Sequence, residues 1–189
     1  MISLDEAYKY IKETLTDKRY IHTLGVVSVA RKLAVIYNES EEKAEIAALC
    51  HDIAKYVSEE DALRIMKENN IILSEDEKNT KELWHAILAP IISKEVLKID
   101  DEEILSAVRW HTTGRENMTK LEKIVYIADM IEPSRVFEGV DEIRNATMED
   151  LDKGVLLGLS QSIGFLLSKG SLIDINSIKA RNYLINSMK

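Results

Sequence analysis

The chain contains only four histidines, and each lies in or at the end of a helical pattern of apolar residues. They are His22, His51, His85 and His111. A single histidine on an apolar helix face is more often a satisfied core residue than a ligand. Four of them, accompanied by Asp52 and Asp129 in apolar surroundings, favour a metal site, because imidazole nitrogens and carboxylate oxygens both bind divalent metals.

The pair His51-Asp52 is the centre of this pattern. It lies in residues 47–55, where apolar residues repeat at helical spacing, and the sequence predicts one helix that Ser40 caps and that continues to Tyr56. Adjacent residues of a helix point about 100° apart, so other elements must supply ligands from the opposite side.

The expected arrangement is a set of four ligands with two further histidines beside it. The ligands are His22, His51, Asp52 and Asp129, and His85 and His111 lie nearby. Nitrogen and oxygen ligands that leave open positions for water and substrate suit a divalent transition metal such as iron, manganese, cobalt or zinc. Imidazoles and carboxylates without a thiolate do not select among these metals.

Capping patterns recur along the chain and predict an all-α fold. Serine, threonine or aspartate repeatedly stands three residues before an acidic residue, as in Ser3 with Glu6, and the chain has only 2 prolines and 7 glycines. A long helix is expected from Thr147 to about residue 169. The apolar loop at residues 71–73 is expected to pack against the core.

The length of the chain, 189 residues, predicts one domain. This domain spans residues 1–189, with the site core at about 19–135 and C-terminal helices at about 141–189 that pack on the core.

The composition of the chain indicates which partners and which cellular compartment to expect. The net charge of -8 argues against a general nucleic-acid surface, because phosphate binding on that scale needs a basic face. The single cysteine fits a reducing compartment. The sequence shows neither a signal peptide nor an apolar run of roughly 18 residues, so we expect a cytoplasmic protein without a membrane partner. A homodimer is left open.

Four longer strings carry a resemblance to a known family. They are RYIHT at residues 19–23, HDIAK at 51–55, WHTTG at 110–114 and LEKIVYIADMIEPSR at 121–135. With the H…HD…D pattern they resemble the HD-domain metal-dependent phosphohydrolases, an all-α superfamily. Within it they look like the bacterial YqeK group, symmetrical hydrolases of diadenosine tetraphosphate. The resemblance runs from about Arg19 to Arg181. Glu138 departs from the group, in which proline is frequent, and leaves the ligands intact.

The resemblance implies a metal, a nucleotide site and a reaction. One iron is held by the equivalents of His22, His51, Asp52 and Asp129. The nucleotide-binding set is His22, Asp52, His85, His111, Thr112, Asp129, Arg135 and Arg181, and the catalytic set is Asp52, His85 and His111. The reaction cleaves the dinucleotide into two ADP molecules.

The chemistry of the metal and of these side chains suggests a role for each of them. A metal lowers the pKa of bound water and polarises a phosphoryl oxygen. With unperturbed pKa values of about 6.5, His85 and His111 are expected to donate protons to phosphate oxygens. Arg135 offers a planar fork for a phosphate, and Thr112 offers a hydroxyl. Whether Asp52 is only a ligand or also orients water stays open.

Three alternatives remain beside this interpretation. The same scaffold could serve a nucleoside monophosphatase, since related sites differ in the pocket. A non-catalytic module that senses a nucleotide or docks on a protein is a second alternative, although no ligand is lost here. A purely structural metal is the third, although structural sites are closed by four protein ligands and rarely carry spare histidines.

Overall fold

The computed structural model describes residues 2–189, and Met1, the first residue of the predicted domain, lies outside the described residues. Within this range the chain forms eleven α-helices and no strand, which confirms the all-α prediction. The helices are α1 Leu4–Thr14, α2 Asp17–Ile36, α3 Glu41–Cys50, α4 Glu59–Glu68, α5 Glu75–Asn79, α6 Trp84–Leu97, α7 Glu102–Arg109, α8 Lys120–Ile131, α9 Val140–Glu149, α10 Leu151–Ser168 and α11 Ile175–Ser187. None of these helices combines the length and the hydrophobicity needed to cross a membrane.

Side-chain caps fix where most of these helices begin. Ser3, Ser74 and Thr119 each form a full capping box with a glutamate three residues later. Each box satisfies two backbone N–H groups that have no partner within the helix. Ser40 caps α3, as predicted.

The predicted helix over residues 40–56 is wrong in its second half. Helix α3 ends at Cys50, and residues 51–56 continue as turns. The cause is local, because the Nδ1–H of His51 donates to the carbonyl of Ala48, 2.7 Å away. The backbone then tightens, and Ile53 and Lys55 donate to carbonyls three residues earlier. His51 and Asp52 therefore lie at a helix end rather than within a helix.

The C-terminal part begins with a separate helix, α9, before the long helix that was predicted to start at Thr147. Helix α9 begins after Gly139, whose φ is 91°, without a side-chain cap that would mark its start. Thr147, predicted as a cap, lies inside α9 and donates to the carbonyl of Ile143. The cap of α10 is Asp150, which accepts from the backbone of Lys153.

The loop between α4 and α5 also departs from expectation. Ile72 is 93% exposed, so this part of the predicted packing is wrong. Leu73 is half-buried and packs against the core, as predicted.

Helix α8 lies at the centre of the fold. It packs against α2, α3, α7, α9 and α10, and its residues Ile124, Val125 and Ile127 are completely buried. Asp129 follows on the same helix, near its C-terminal end. The core thus holds a carboxylate in place from a helix that packs against five others.

Helix α10 provides a test of how tightly the C-terminal helices pack. A Cβ at Gly154 would lie 2.6 Å from the Cα of Thr147 in α9. A backbone atom can relieve this overlap only if the helix itself shifts. Gly154→Ala should lower the free energy of unfolding by about 1–3 kcal/mol through overpacking. Thermal and urea unfolding would measure this.

The matched control is Gly164→Ala in the same helix, where a Cβ would meet no atom within 4 Å. That substitution should stabilise the protein by about 0.5–1 kcal/mol, because alanine is the better helix former. Equal effects of the two substitutions would contradict the close contact of α9 with α10.

Candidate metal centre and active site

The predicted ligands and histidines converge from five parts of the fold. His22 lies in α2, His85 in the first turn of α6 and Asp129 in α8, whereas His51 and Asp52 follow α3 and His111 follows α7. The four histidines and Asp52 are buried. Since α8 packs against α2, α3 and α7, the core of the fold brings most of these residues to one place.

All four imidazoles are held in the same tautomer. The Nδ1 atoms of His51, His85 and His111 each lie 2.7 Å from the carbonyl oxygen three residues earlier. The Nδ1 of His22 lies 2.9 Å from Oε1 of Glu132. Carbonyl and carboxylate oxygens only accept hydrogen bonds, so each Nδ1 carries the proton. Each Nε2 therefore presents a lone pair to the centre of the site.

The first group of ligand atoms surrounds a point between α2, α3 and α8. The ligand atoms of His22, His51 and Asp129 all lie within 4.8 Å of one another. The Nε2 of His22 is 3.0 Å from Oδ1 of Asp129, and the Nε2 of His51 is 2.8 Å from Oδ2 of Asp52. A lone pair that faces an anionic oxygen at such distances requires a positive charge between them.

Unpartnered polar atoms show that these residues fit a metal ion. Within residues 2–189, the buried atoms His22 Nε2, His51 Nε2 and Asp52 Oδ1 have no hydrogen-bond partner. A buried polar atom without a partner costs about 1–3 kcal/mol, so three in one place need a common explanation. A divalent cation supplies it, because imidazole nitrogen and carboxylate oxygen are its preferred donors.

Asp52 connects this group to a second one. Its Oδ2 faces His51, whereas its Oδ1 lies 3.3 Å from Nε2 of His85. The Nε2 atoms of His85 and His111 are 3.1 Å apart. Asp52, His85 and His111 thus form a second set of donor atoms within 4.8 Å of one another. Two Nε2 lone pairs that face each other require a proton, a hydrogen-bond donor or a cation between them.

Both aspartates are ionised despite their burial. Burial alone would raise the pKa of Asp52, but His51, His111 and Arg19 hold it well below its usual range. Burial likewise opposes ionisation of Asp129, but its close contact with His22, then the proximity of His51 and of the Arg135 guanidinium, lower its pKa. The site therefore offers two anionic ligands at neutral pH.

The second pair of histidines is neutral in the free protein. Burial lowers the pKa of His85 to about 3, and the neighbouring His111 and Lys55 add to the effect. Burial also lowers the pKa of His111 to about 4, with His51 adding to it. The unperturbed value expected from the sequence was wrong, because both rings lie in the interior.

Two residues that contact the predicted ligands were not predicted. Arg19 forms an ion pair with Asp52, and Glu132 accepts the Nδ1–H of His22. Arg19 lies three residues, or one helical turn, before the predicted ligand His22. Glu132 lies three residues after the predicted ligand Asp129. That spacing, which places side chains on one helix face, is the signal that could have found them.

The remaining predicted residues lie in different surroundings. Arg135 donates to Oδ1 and to the carbonyl of Asp129, at 2.5 and 2.8 Å, so it borders the metal ligands. Thr112 follows His111, and its buried hydroxyl has no partner among residues 2–189. Arg181 donates instead to Oγ of Ser160 in α10, 2.9 Å away. Its contact with a nucleotide stays a prediction.

Fold and site together define an all-helical, metal-binding class of protein. The sequence profile of the HD domain matches residues 19–134, which include every proposed metal ligand. The chain belongs to the HD domain family.

Several relatives match nearly the whole chain. The chain is 37% identical to a Bacillus subtilis protein over 96% of this chain and 97% of the relative. It is 36% identical to a Staphylococcus aureus protein over 96% of this chain and 94% of that relative. Both relatives are named bis(5'-nucleosyl)-tetraphosphatase, symmetrical. A crystal structure from Clostridium acetobutylicum, described as a predicted HD superfamily hydrolase involved in NAD metabolism, is 46% identical, covers 99% of both chains and superposes with a TM-score of 0.95.

The contact between Glu132 and His22 provides a test of the metal centre. Glu132→Ala removes the acceptor that holds the Nδ1–H of His22, so its Nε2 is no longer fixed toward the ion. The apparent Kd for Zn²⁺, measured by competition with a chromophoric chelator, should rise about 10- to 100-fold.

Glu138→Ala is the matched control, because Glu138 is exposed and lies on the loop after the site. Its Kd should equal that of the unmodified chain. An unchanged Kd for Glu132→Ala would contradict the positioning role of Glu132.

Proposed function

We propose that the chain is a metal-dependent hydrolase that cleaves diadenosine tetraphosphate symmetrically into two ADP molecules. Relatives that span nearly the whole chain carry this activity in their names. The observation that carries the proposal is the position of Asp52. One of its oxygens faces the metal-ligand group and the other faces His85, so a site for a cation adjoins a site for proton transfer.

The reaction requires one water and breaks one bond. Water oxygen forms a bond to an inner phosphorus, the central phosphoanhydride bond breaks, and the bridging oxygen leaves with the second ADP. A bound divalent metal supplies Lewis acidity that activates water and polarises a phosphoryl oxygen. We propose that His22, His51, Asp52 and Asp129 hold that metal and that it is iron, with manganese, cobalt and zinc as the other candidates.

His85 and His111 are proposed to serve the phosphates. Their Nε2 atoms lie 3.1 Å apart and share the buried end of the site with Oδ1 of Asp52. Both rings are neutral in the free protein, but the negative charge of an arriving tetraphosphate favours the protonated form. A proton taken up at Nε2 can then be donated to a phosphate oxygen as charge develops on it.

Arg135 and Thr112 are proposed to orient the same phosphates. Both line a cavity of about 230 Å³ that opens onto His111 and Asp129. Arg135 donates two hydrogen bonds to Asp129, so its guanidinium lies where an anionic oxygen next to the metal ligands would arrive. The unpartnered hydroxyl of Thr112 supplies a further donor.

The direct test is hydrolysis of diadenosine tetraphosphate by protein reconstituted with Fe²⁺, with the products separated by anion-exchange chromatography. ADP should be the sole nucleotide product, and Asp52→Ala should abolish its formation, because the substitution removes the carboxylate that connects the two groups. Release of inorganic phosphate from a mononucleotide, with the dinucleotide left intact, would contradict the proposed substrate.

The role of His111 is tested by comparing turnover with metal content. His111→Ala should lower kcat about 100-fold or more, as expected for loss of a proton-transfer group, while the metal content measured by mass spectrometry stays within twofold. Equal losses of turnover and metal would contradict the phosphate-side role and assign His111 to metal binding.

A further inference from the structure

A symmetrical dinucleotide requires a site with two arms. Cleavage at the central anhydride places one nucleoside diphosphate on each side of the reacting atoms. The catalytic groups must therefore lie between two cavities, each able to hold a nucleoside and two phosphates. The inference below rests on the proposed function.

One arm lies between α7, α8 and α10. The cavity of about 230 Å³ that contains Thr112 and Arg135 shares Thr112 and Ser162 with a larger cavity of about 490 Å³. The larger cavity extends toward the loop that contains Leu172, between α10 and α11. These cavities give one half of the substrate a continuous path from the catalytic groups outward.

A separate cavity borders the same groups. It has a volume of about 520 Å³ and is lined by residues that include Lys18, Arg19, Tyr56 and Val136. His22 lines this cavity, whereas Asp129 lines the first arm. The two side chains are 3.0 Å apart. Both cavities are also lined by Arg135 and Phe137, so they meet at the proposed metal centre.

We propose that this second cavity binds the other nucleoside diphosphate half of the substrate. The first arm comprises cavities of about 230 and 490 Å³, and the second cavity has a volume of about 520 Å³. The two larger cavities fall in the range of small-molecule sites, so each arm has room for one half of the substrate.

The charges of the second cavity suit a diphosphate. Lys18, Arg19 and Arg135 contribute three cations to its lining, against the single carboxylate of Glu132. Glu132 is buried and already accepts hydrogen bonds from His22 and Ser134. Arg19 and Arg135 are paired with Asp52 and Asp129, whereas Lys18 has no carboxylate partner among residues 2–189, so this lining offers an unpaired cation to an anionic ligand beside the catalytic groups.

The outer part of the cavity suits a purine base. Tyr56 is 54% exposed although it is a large aromatic residue. Its hydroxyl lies 3.1 Å from Oγ1 of Thr16, which ties the ring to the start of α2. Val136 is 90% exposed on the facing loop and adds apolar surface. An exposed ring held beside cations is a platform on which a base can stack.

The experiment compares two substrates that share the scissile bond. Diadenosine tetraphosphate carries a nucleoside at each end, and adenosine 5'-tetraphosphate carries only one, which the first arm can hold. Tyr56→Ala should lower the ratio of kcat/KM for the dinucleotide to kcat/KM for the mononucleotide about 10-fold or more, as expected for loss of base stacking. Lys18→Glu should lower the affinity for the dinucleotide through charge reversal in the same cavity.

A matched control and a binding measurement complete the test. Phe165→Ala removes another exposed aromatic ring, 58% exposed on α10, and should leave the ratio unchanged. Isothermal titration with ADP should show two sites per chain, and Tyr56→Ala should weaken one of them. If the unmodified chain forms ADP from the dinucleotide but Tyr56→Ala leaves the ratio and the ADP stoichiometry unchanged, the second arm is wrong and the proposed function stands. If the unmodified chain forms no ADP, the proposed function itself fails.

Discussion

The active centre depends on one repeated interaction, the hydrogen bond that each histidine donates from Nδ1. Three of these bonds go to the carbonyl three residues earlier, and the fourth goes to Glu132. Each bond fixes both the tautomer and the direction of the ring, so the Nε2 lone pairs point at a common space. For His51 the same bond ends helix α3 and places Asp52 at the centre of the site.

Burial of the charged groups is the second constraint on the site. Asp52 and Asp129 are ionised in a protein interior, which is costly unless cations lie beside them. Arg19 and Arg135 provide that charge in the structure, one for each aspartate. A divalent metal bound between the aspartates would balance the same charge and free the donors of the two arginines for phosphate. The protein can thus exchange one set of ion pairs for another without leaving a carboxylate unpaired.

The residue types predicted the composition of the site but not its detailed construction. Scarce histidines and aspartates with apolar neighbours predicted a set of residues that the structure does bring together. Capping patterns located some helix starts, among them those of α1 and α3. The end of α3 at Cys50 could not be predicted, because it results from competition between the imidazole of His51 and a backbone amide for one carbonyl. Helix α9 has no side-chain cap, so only the apolar spacing of Val140, Ile143 and Ala146 marked it in the sequence. The low pKa values of His85 and His111 depend on burial, which only the packed structure reveals.

The most direct test of this account is to determine the protonation of each imidazole nitrogen. Long-range ¹H–¹⁵N correlation spectra of ¹⁵N-histidine-labelled protein loaded with Zn²⁺, a diamagnetic ion, distinguish protonated from unprotonated Nδ1. We expect Nδ1 to carry the proton in all four histidines, and His22 and His51 to have an unprotonated Nε2 bound to the metal. An Nε2–H tautomer at His22 or His51 would contradict the proposed metal centre, because that nitrogen could then offer no lone pair to the ion.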